Sequence, residues 1–447
     1  MHIFFTIELH LQKISFSMKD IKKIIFVVFL IILFIPILVK SLNLIKEKPL
    51  NGAFIPAEKP YLSDSTWFNG YFQEQQEKYL NENTGLHNTM VRINNQIDFS
   101  LFNKSKTDKL VIGKENYLFE DNYIFATTGT DYIGEEKIKE LTQKAKQTQE
   151  ILESNGIKML FVFAPGKASF FKEYIPDRYF VNGTSPVTNY KVFTEYCKKE
   201  DVNYIDFNSY FLKLKDKSEY PLYPKAGIHW SYYGMYLCAD SIISKIEKDL
   251  NKDIPEIIIK NIELSKEQKN PEYDLGDLAN LLFKIETYDL AYPVYSYNQE
   301  GKHRPKVLVV GDSYYWNMYY SGIPSNVFES LDFYYYNSKY YYNGNATPIE
   351  VSTLDYVQEI LKYEYIILLE TDGGLNNFGF GFFDKIIKEF GKLNLEPEVL
   401  KYINAIINDP AWMKHIEEKA KQRGISTDEM IEIDARYMYE QDIKNAK

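Results

Sequence analysis

Two hydrophobic rhythms alternate along residues 134–371. Residues 134–154 repeat apolar positions at helical spacing, with Ile138, Leu141, Ala145 and Ile151 on one side and Asn155-Gly156 as a stop. Residues 187–199, 231–250 and 353–362 predict further helices. Between them lie short apolar runs, MLFVFAP (159–165), VNYIDF (202–207), KVLVV (306–310), LDFYYY (331–336) and YEYIILLE (363–370), each the length of a strand. Buried strands alternating with amphipathic helices predict an α/β domain, a mostly parallel sheet with helices on both faces. Ahead of it, VIGKENYLF (111–119) predicts two short strands around a Lys-Glu-Asn turn, and residues 66–97 predict a helix with Phe68, Phe72 and Tyr79 on one face. Residues 24–39 are uninterrupted apolar sequence preceded by Lys19, Lys22 and Lys23, with Leu42, Leu44 and Ile45 beyond Lys40. No small-x-small cleavage pattern follows, so one transmembrane helix is expected, N-terminus inside. The expected boundaries are a cytoplasmic N-terminus (1–23), an anchor (24–45), a helical membrane-proximal segment (46–110), the α/β domain (111–390) and a helical tail (391–447). Met18 is a candidate start, since residues 1–17 resemble no folded element. The tail reads as two helical pieces joined by a charged stretch, and the tyrosine tract at 334–345 as a strand running into loop.

Composition narrows the classes. At 447 residues the chain exceeds one ordinary core. A net charge of −10 argues against nucleic acid as a partner. Cys197 and Cys238 are the only cysteines and have no metal-ligand spacing, so they read as core thiols. No metal or other cofactor is expected. The 38 tyrosines read as compositional bias.

Parallel sheets place ligands beyond the carboxyl ends of their strands. Gly166-Lys167, Gly311-Asp312-Ser313 and Thr371-Asp372-Gly373 all fall there. Ser313 is therefore a candidate nucleophile, with a polar turn residue as the alternative. A serine needs a base, and the chain has six histidines. Of these, His229 stands where a loop, YPKAGIHWSYYG (223–234), runs into a helix; the alternative is a packed loop.

The GDSY stretch, the HWSxxG stretch upstream of it, the AP-x-K strand end and VIGKENYLF together resemble the SGNH-hydrolase-like domain of the alginate O-acetyltransferases AlgX and AlgJ, over roughly residues 66–385. The resemblance implies a three-layer SGNH-hydrolase-like sheet, with Ser313 as nucleophile and His229 as base. It implies a membrane-anchored O-acetyltransferase acting outside the cytoplasm on cell-surface or exported polysaccharide, with a membrane-bound O-acyltransferase as partner. A carbohydrate esterase, and a non-catalytic glycan-binding or scaffold protein of an export assembly, are the alternatives. One departure stands out. The family's Asp-x-His-Trp is here Gly227-Ile228-His229-Trp230, so the carboxylate that orients the histidine is missing. Asp372 is the expected substitute, followed by Asp206 and Asp312. A positive φ is the expected reason for a glycine at 227. Ser313 N–H and a neighbouring loop N–H are candidates for an oxyanion hole, with Gly373, Gly374 and Asn376 as candidate contributors. Lys167 and Asp312 are candidates to meet the substrate or intermediate, and Trp230 to stack on sugar.

Overall fold

The computed structural model describes residues 18–52, 57–180, 187–393 and 397–445. The chain forms two compact units. One comprises the described residues up to Asp108 together with Gly276–Ile285; the other comprises Lys109–Leu275 and Glu286 onward.

In the first unit the apolar run lies in a helix, Met18–Ser41. Its segment Lys19–Ser41 is long and apolar enough to cross a membrane, with a mean hydropathy of 3.0. The helix expected over 66–97 is instead three, Asp64–Phe68, Tyr71–Asn83 and His87–Phe102. The breaks fall at Gly70 and Leu86, both in the left-handed region, where a helix cannot continue. Arg92 ties the last of these helices to the chain after the apolar helix, donating to the carbonyls of Lys48 and Pro49 at 3.0 and 2.7 Å. Residues 1–17 lie outside the described residues, which begin at the candidate start, Met18.

The second unit holds the sheet. Its strands are β1 (Leu110–Ile112), β2 (Leu118–Glu120), β3 (Lys158–Ala164), β4 (Tyr204–Asp206), β5 (Glu256–Ser265), β6 (Leu290–Asn298), β7 (Val307–Gly311), β8 (Asp332–Tyr335), β9 (Lys339–Tyr342), β10 (Ile349–Glu350) and β11 (Tyr365–Thr371). Seven form the main sheet in the order β10-β9-β8-β7-β11-β3-β4. From β8 to β4 every neighbour is parallel, and β9 and β10 close one edge antiparallel. All seven residues of β11 are buried, as befits a strand covered on both faces. Alternate side chains feed two cores: Leu160, Val162, Val309 and Ile367 on one side, Phe161, Phe163, Val310 and Leu368 on the other. The α/β expectation holds, including helices over both faces.

Several elements lie beyond the sequence reading, among them β9, a strand where the tyrosine tract is expected to run into loop. β5 and β6 pair antiparallel outside the main sheet, in a stretch whose sequence predicts no element. The charged part of the tail is itself a helix, Pro410–Arg423, because Asp409 accepts from the N–H groups of Ala411 and Trp412 and Pro410 sits in its first turn. With Pro397–Asn408 and Thr427–Asn445 it builds a separate small core around Ile406, Ile416, Met430 and Ala435. Cys197 and Cys238 are buried free thiols.

Candidate active site

The end of β7 explains its own sequence. A Cβ at Gly311 would lie 2.8 Å from the Leu369 carbonyl on β11, so the strand exit requires glycine. Asp312 follows and is buried. It accepts from Tyr314 N–H at 2.9 Å and from both the N–H and hydroxyl of Thr371 at 2.8 Å. It therefore clamps the exit of β7 to that of β11, and its expected contact with substrate gives way to this structural use. Burial raises its carboxyl above the usual range. Ser313 is left half-buried at the tip. Among the described residues no group accepts from its backbone N–H.

The HWSxxG stretch has equally local causes. Ser231 caps the helix Tyr232–Leu250 by accepting from Gly234 N–H at 3.0 Å, while its hydroxyl donates to the Pro221 carbonyl at 2.7 Å. A Cβ on Gly234 would meet the Leu222 carbonyl at 2.7 Å. Trp230 is fully buried with its ring against Tyr314, 5.4 Å between centroids, so it packs the loop and cannot reach a sugar. His229 thus projects toward β7. Its Nε2 lies 3.1 Å from Ser313 Oγ, and its Nδ1 lies 2.9 Å from an oxygen of Asp274.

Asp274 is the residue that sequence reasoning missed. Its other carboxylate oxygen accepts from Ile228 N–H at 2.9 Å and from Leu275 N–H at 2.7 Å. It therefore holds both the imidazole and the backbone just before it. Asp372, the expected partner, lies elsewhere: it accepts from the Ser169 hydroxyl, and its second oxygen is buried without a partner among the described residues. Asp206 caps the helix Phe207–Leu214 and accepts from Tyr190. Nor does Gly227 answer to a positive φ; it answers to a close approach. A Cβ there would lie 2.5 Å from the Glu272 carbonyl oxygen and 2.9 Å from Pro224. The segment that delivers Asp274 occupies the space an aspartate at 227 would need.

Lys167 is likewise relocated by the structure. It is buried, and its three ammonium protons go to the carbonyls of Leu118, Lys225 and Gly227 at 2.7, 2.8 and 2.7 Å. Burial lowers its pKa to about 7, with the Asp274 charge opposing the shift. It fastens the histidine loop from below rather than meeting a substrate. Gly373, Gly374 and Asn376 line a cavity beside Asp312 and Tyr336. Tyr336, which sequence reasoning did not single out, is a wall of the same cavity.

Residues 110–321 match the family model described as "SGNH hydrolase-like domain, acetyltransferase AlgX", the likeness suggested by GDSY, HWS and AP-x-K. The chain is also similar to the solved O-acetyltransferase domain of Pseudomonas putida AlgJ, with 14% identity over 62% of this chain and 98% of that one, at a TM-score of 0.42. Pseudomonas aeruginosa AlgX gives 13% identity over 60% and 66%, at 0.36. Bacillus cereus PatB1 gives 12% over 54% and 91%, at 0.33. No curated protein matches the chain.

Two outcomes follow from this geometry. Gly227→Ala should destabilise the protein by about 1–3 kcal/mol through overpacking against the Glu272 backbone, read by denaturant unfolding; an unchanged midpoint would show that the loop has room. Burial raises the Asp372 carboxyl from 3.8 to about 7, so between those values the folded state holds a proton that the unfolded chain releases. The contribution of Asp372 to stability is complete below 3.8 and is lost as pH rises to about 7. Relative to wild type, Asp372→Asn should flatten the fall in stability over that window, measured by unfolding at several pH values.

Proposed function

We propose that this chain is an O-acetyltransferase acting on polysaccharide through an acyl-enzyme on Ser313, with His229 as base and Asp274 as its orienting acid. The observation that carries the reading is the Ser313–His229–Asp274 relay, at 3.1 and 2.9 Å. Asp274 accepts a hydrogen bond from Nδ1–H, which leaves the Nε2 lone pair facing the serine hydroxyl. Ser313 Oγ then gives its proton to Nε2 and bonds to the acetyl carbon of the donor ester. The tetrahedral intermediate collapses, the bond from acetyl carbon to leaving oxygen breaks, and Nε2–H protonates that oxygen. In the second half a sugar hydroxyl gives its proton to Nε2 and bonds to the acetyl carbon of the acyl-serine, the bond from that carbon to Ser313 Oγ breaks, and the proton passes from Nε2 to Oγ. Asp274 stabilises the imidazolium at both stages. The unclaimed Ser313 N–H is suited to the oxyanion, with Tyr336 beside it. Acetyl transfer to glycan, in preference to water, rests on the family model matched over residues 110–321. The absent acid at 227 is the best argument for a non-catalytic chain, and the place of Asp274 against His229 weighs against it.

The helix Met18–Ser41 serves in this reading as a membrane anchor that holds the second unit outside the cytoplasm, near a membrane-bound acyl donor.

Ser313→Ala and His229→Ala should abolish aryl-acetate turnover and labelling of the serine by a sulfonyl fluoride. Asp274→Asn should cut turnover by orders of magnitude, up to about 10⁴-fold, with unfolding unchanged. Full activity in Asp274→Asn would remove the relay from the mechanism. For the anchor, an alkaline phosphatase fused after residue 50 should be active; activity of a cytoplasm-only reporter at that position would reverse the orientation.

A further inference from the structure

A cavity walled in part by Asp312, the residue before Ser313, and by Tyr336 has a volume of about 220 Å³. Sites that enclose a whole ligand run to about 300–1,000 Å³, so this one suits a single sugar ring. Its walls are amides, a phenol and an aromatic edge: Asn122, Asn376, Asn377, Tyr336 and Phe380. The Tyr336 and Phe380 rings stand 5.2 Å apart at 89°, forming an apolar corner. Among the described residues no lysine, arginine or histidine lines this cavity. Its one charged wall residue, Asp312, uses both oxygens on Tyr314 and Thr371. Lys167, the buried cation behind the histidine loop, has all three protons committed to carbonyls.

A second depression in the same unit is just as poor in free positive charge. It measures about 370 Å³ and carries Phe171, Tyr174 and Tyr220 beside Glu173, Asp216 and Glu219. Its one lining cation, Lys215, is bonded to Glu173 at 2.7 Å and to the Phe170 carbonyl. The carboxylates therefore outnumber the cation three to one on this wall. A sugar carboxylate or phosphate entering either depression would shed water without meeting a free counter-charge, which is costly. Sites for such anions carry a guanidinium or ammonium for that purpose. The chain's net charge of −10 adds repulsion at longer range.

We propose that the acceptor is an uncharged glycan, one ring of which lodges against Tyr336 and Phe380, and that polyuronates and other anionic polymers are poor acceptors. This rests on the acyl-transfer reading above.

The test uses the full chain in detergent, with an aryl acetate as donor and two acceptor series, β-glucan oligosaccharides and oligomannuronates. Acetyl transfer to the neutral series should exceed that to oligomannuronates by about tenfold or more in kcat/KM, the cost of an uncompensated charge. Phe380→Ala should raise KM for the neutral acceptor more than it lowers kcat. Asn376 is exposed, so Asn376→Arg should fold normally and shift the ratio toward oligomannuronate, with Asn377→Arg as a second insertion of the same charge. Equal or better transfer to oligomannuronates overturns the proposal, as does an unchanged ratio in both arginine variants. If an acyl-enzyme on Ser313 forms and passes its acetyl to uronates, only this proposal fails. If no Ser313-dependent acyl-enzyme forms, the acyl-transfer reading fails and takes this proposal with it.

Discussion

The site depends on one carboxylate that makes two kinds of contact. Asp274 accepts from His229 Nδ1 with one oxygen and from the Ile228 backbone with the other. The first contact fixes the tautomer, and the second fixes the position of the peptide that carries the ring. Removing the carboxylate would therefore disturb both the electronics and the placement of the imidazole. Around it the loop is held from every side: Tyr314 donates to the Ile228 carbonyl at 2.9 Å, Lys167 holds the Gly227 carbonyl, and Trp230 fills the space behind. Glu272 extends the arrangement by accepting from Tyr232 N–H at the start of the following helix. Its burial raises its carboxyl to about 7. The desolvation of Glu272 and Lys167 is the energetic cost of a rigid base, and hydrogen bonds offset it only in part.

Much of the sheet was legible because its signal is local. A run such as YIILLET can hardly be anything but a strand buried on both faces, and the glycine after KVLVV marks a tight exit. The juxtaposition of Ser313 and His229 was legible for the same reason, since the residues that aim each side chain are its chain neighbours. Gly311 and Asp312 set the serine; Ser231 and Gly234 set the helix that follows the histidine.

The acid was not legible, and the reason is physical. Asp274 lies 45 residues from His229 in sequence. It arrives on the connection between β5 and β6, whose pairing only the folded chain reveals. Nothing in PEYDLGDL distinguishes a relay acid from a surface turn. Asp372 is the better substitute on sequence because it ends a strong strand, yet strand ends in one sheet are separated laterally, and β11 aims that side chain at Ser169. Lys167 misleads in a related way. A lysine after Pro-Gly reads as solvated, and only the three carbonyls converging on its ammonium explain its burial. At Gly227 the missing acid and the close backbone contact are one fact: the segment bearing the new carboxylate has taken the old one's place.

The position of β11 bears on how the chain reaches this state. β11 lies between β7 and β3 and pairs in parallel with both, yet it is the last strand of the sheet to be synthesised. Until residue 371 is available, β3 with β4 and β7 with β8 are two separate fragments, each with an open hydrogen-bonding edge. The chain cannot condense its core progressively from the N-terminus; it must wait, then close around its final strand. Pairings this distant in sequence make folding slow and expose unpaired edges meanwhile. A polypeptide that stays open until nearly all of it has been made remains threadable for the same interval.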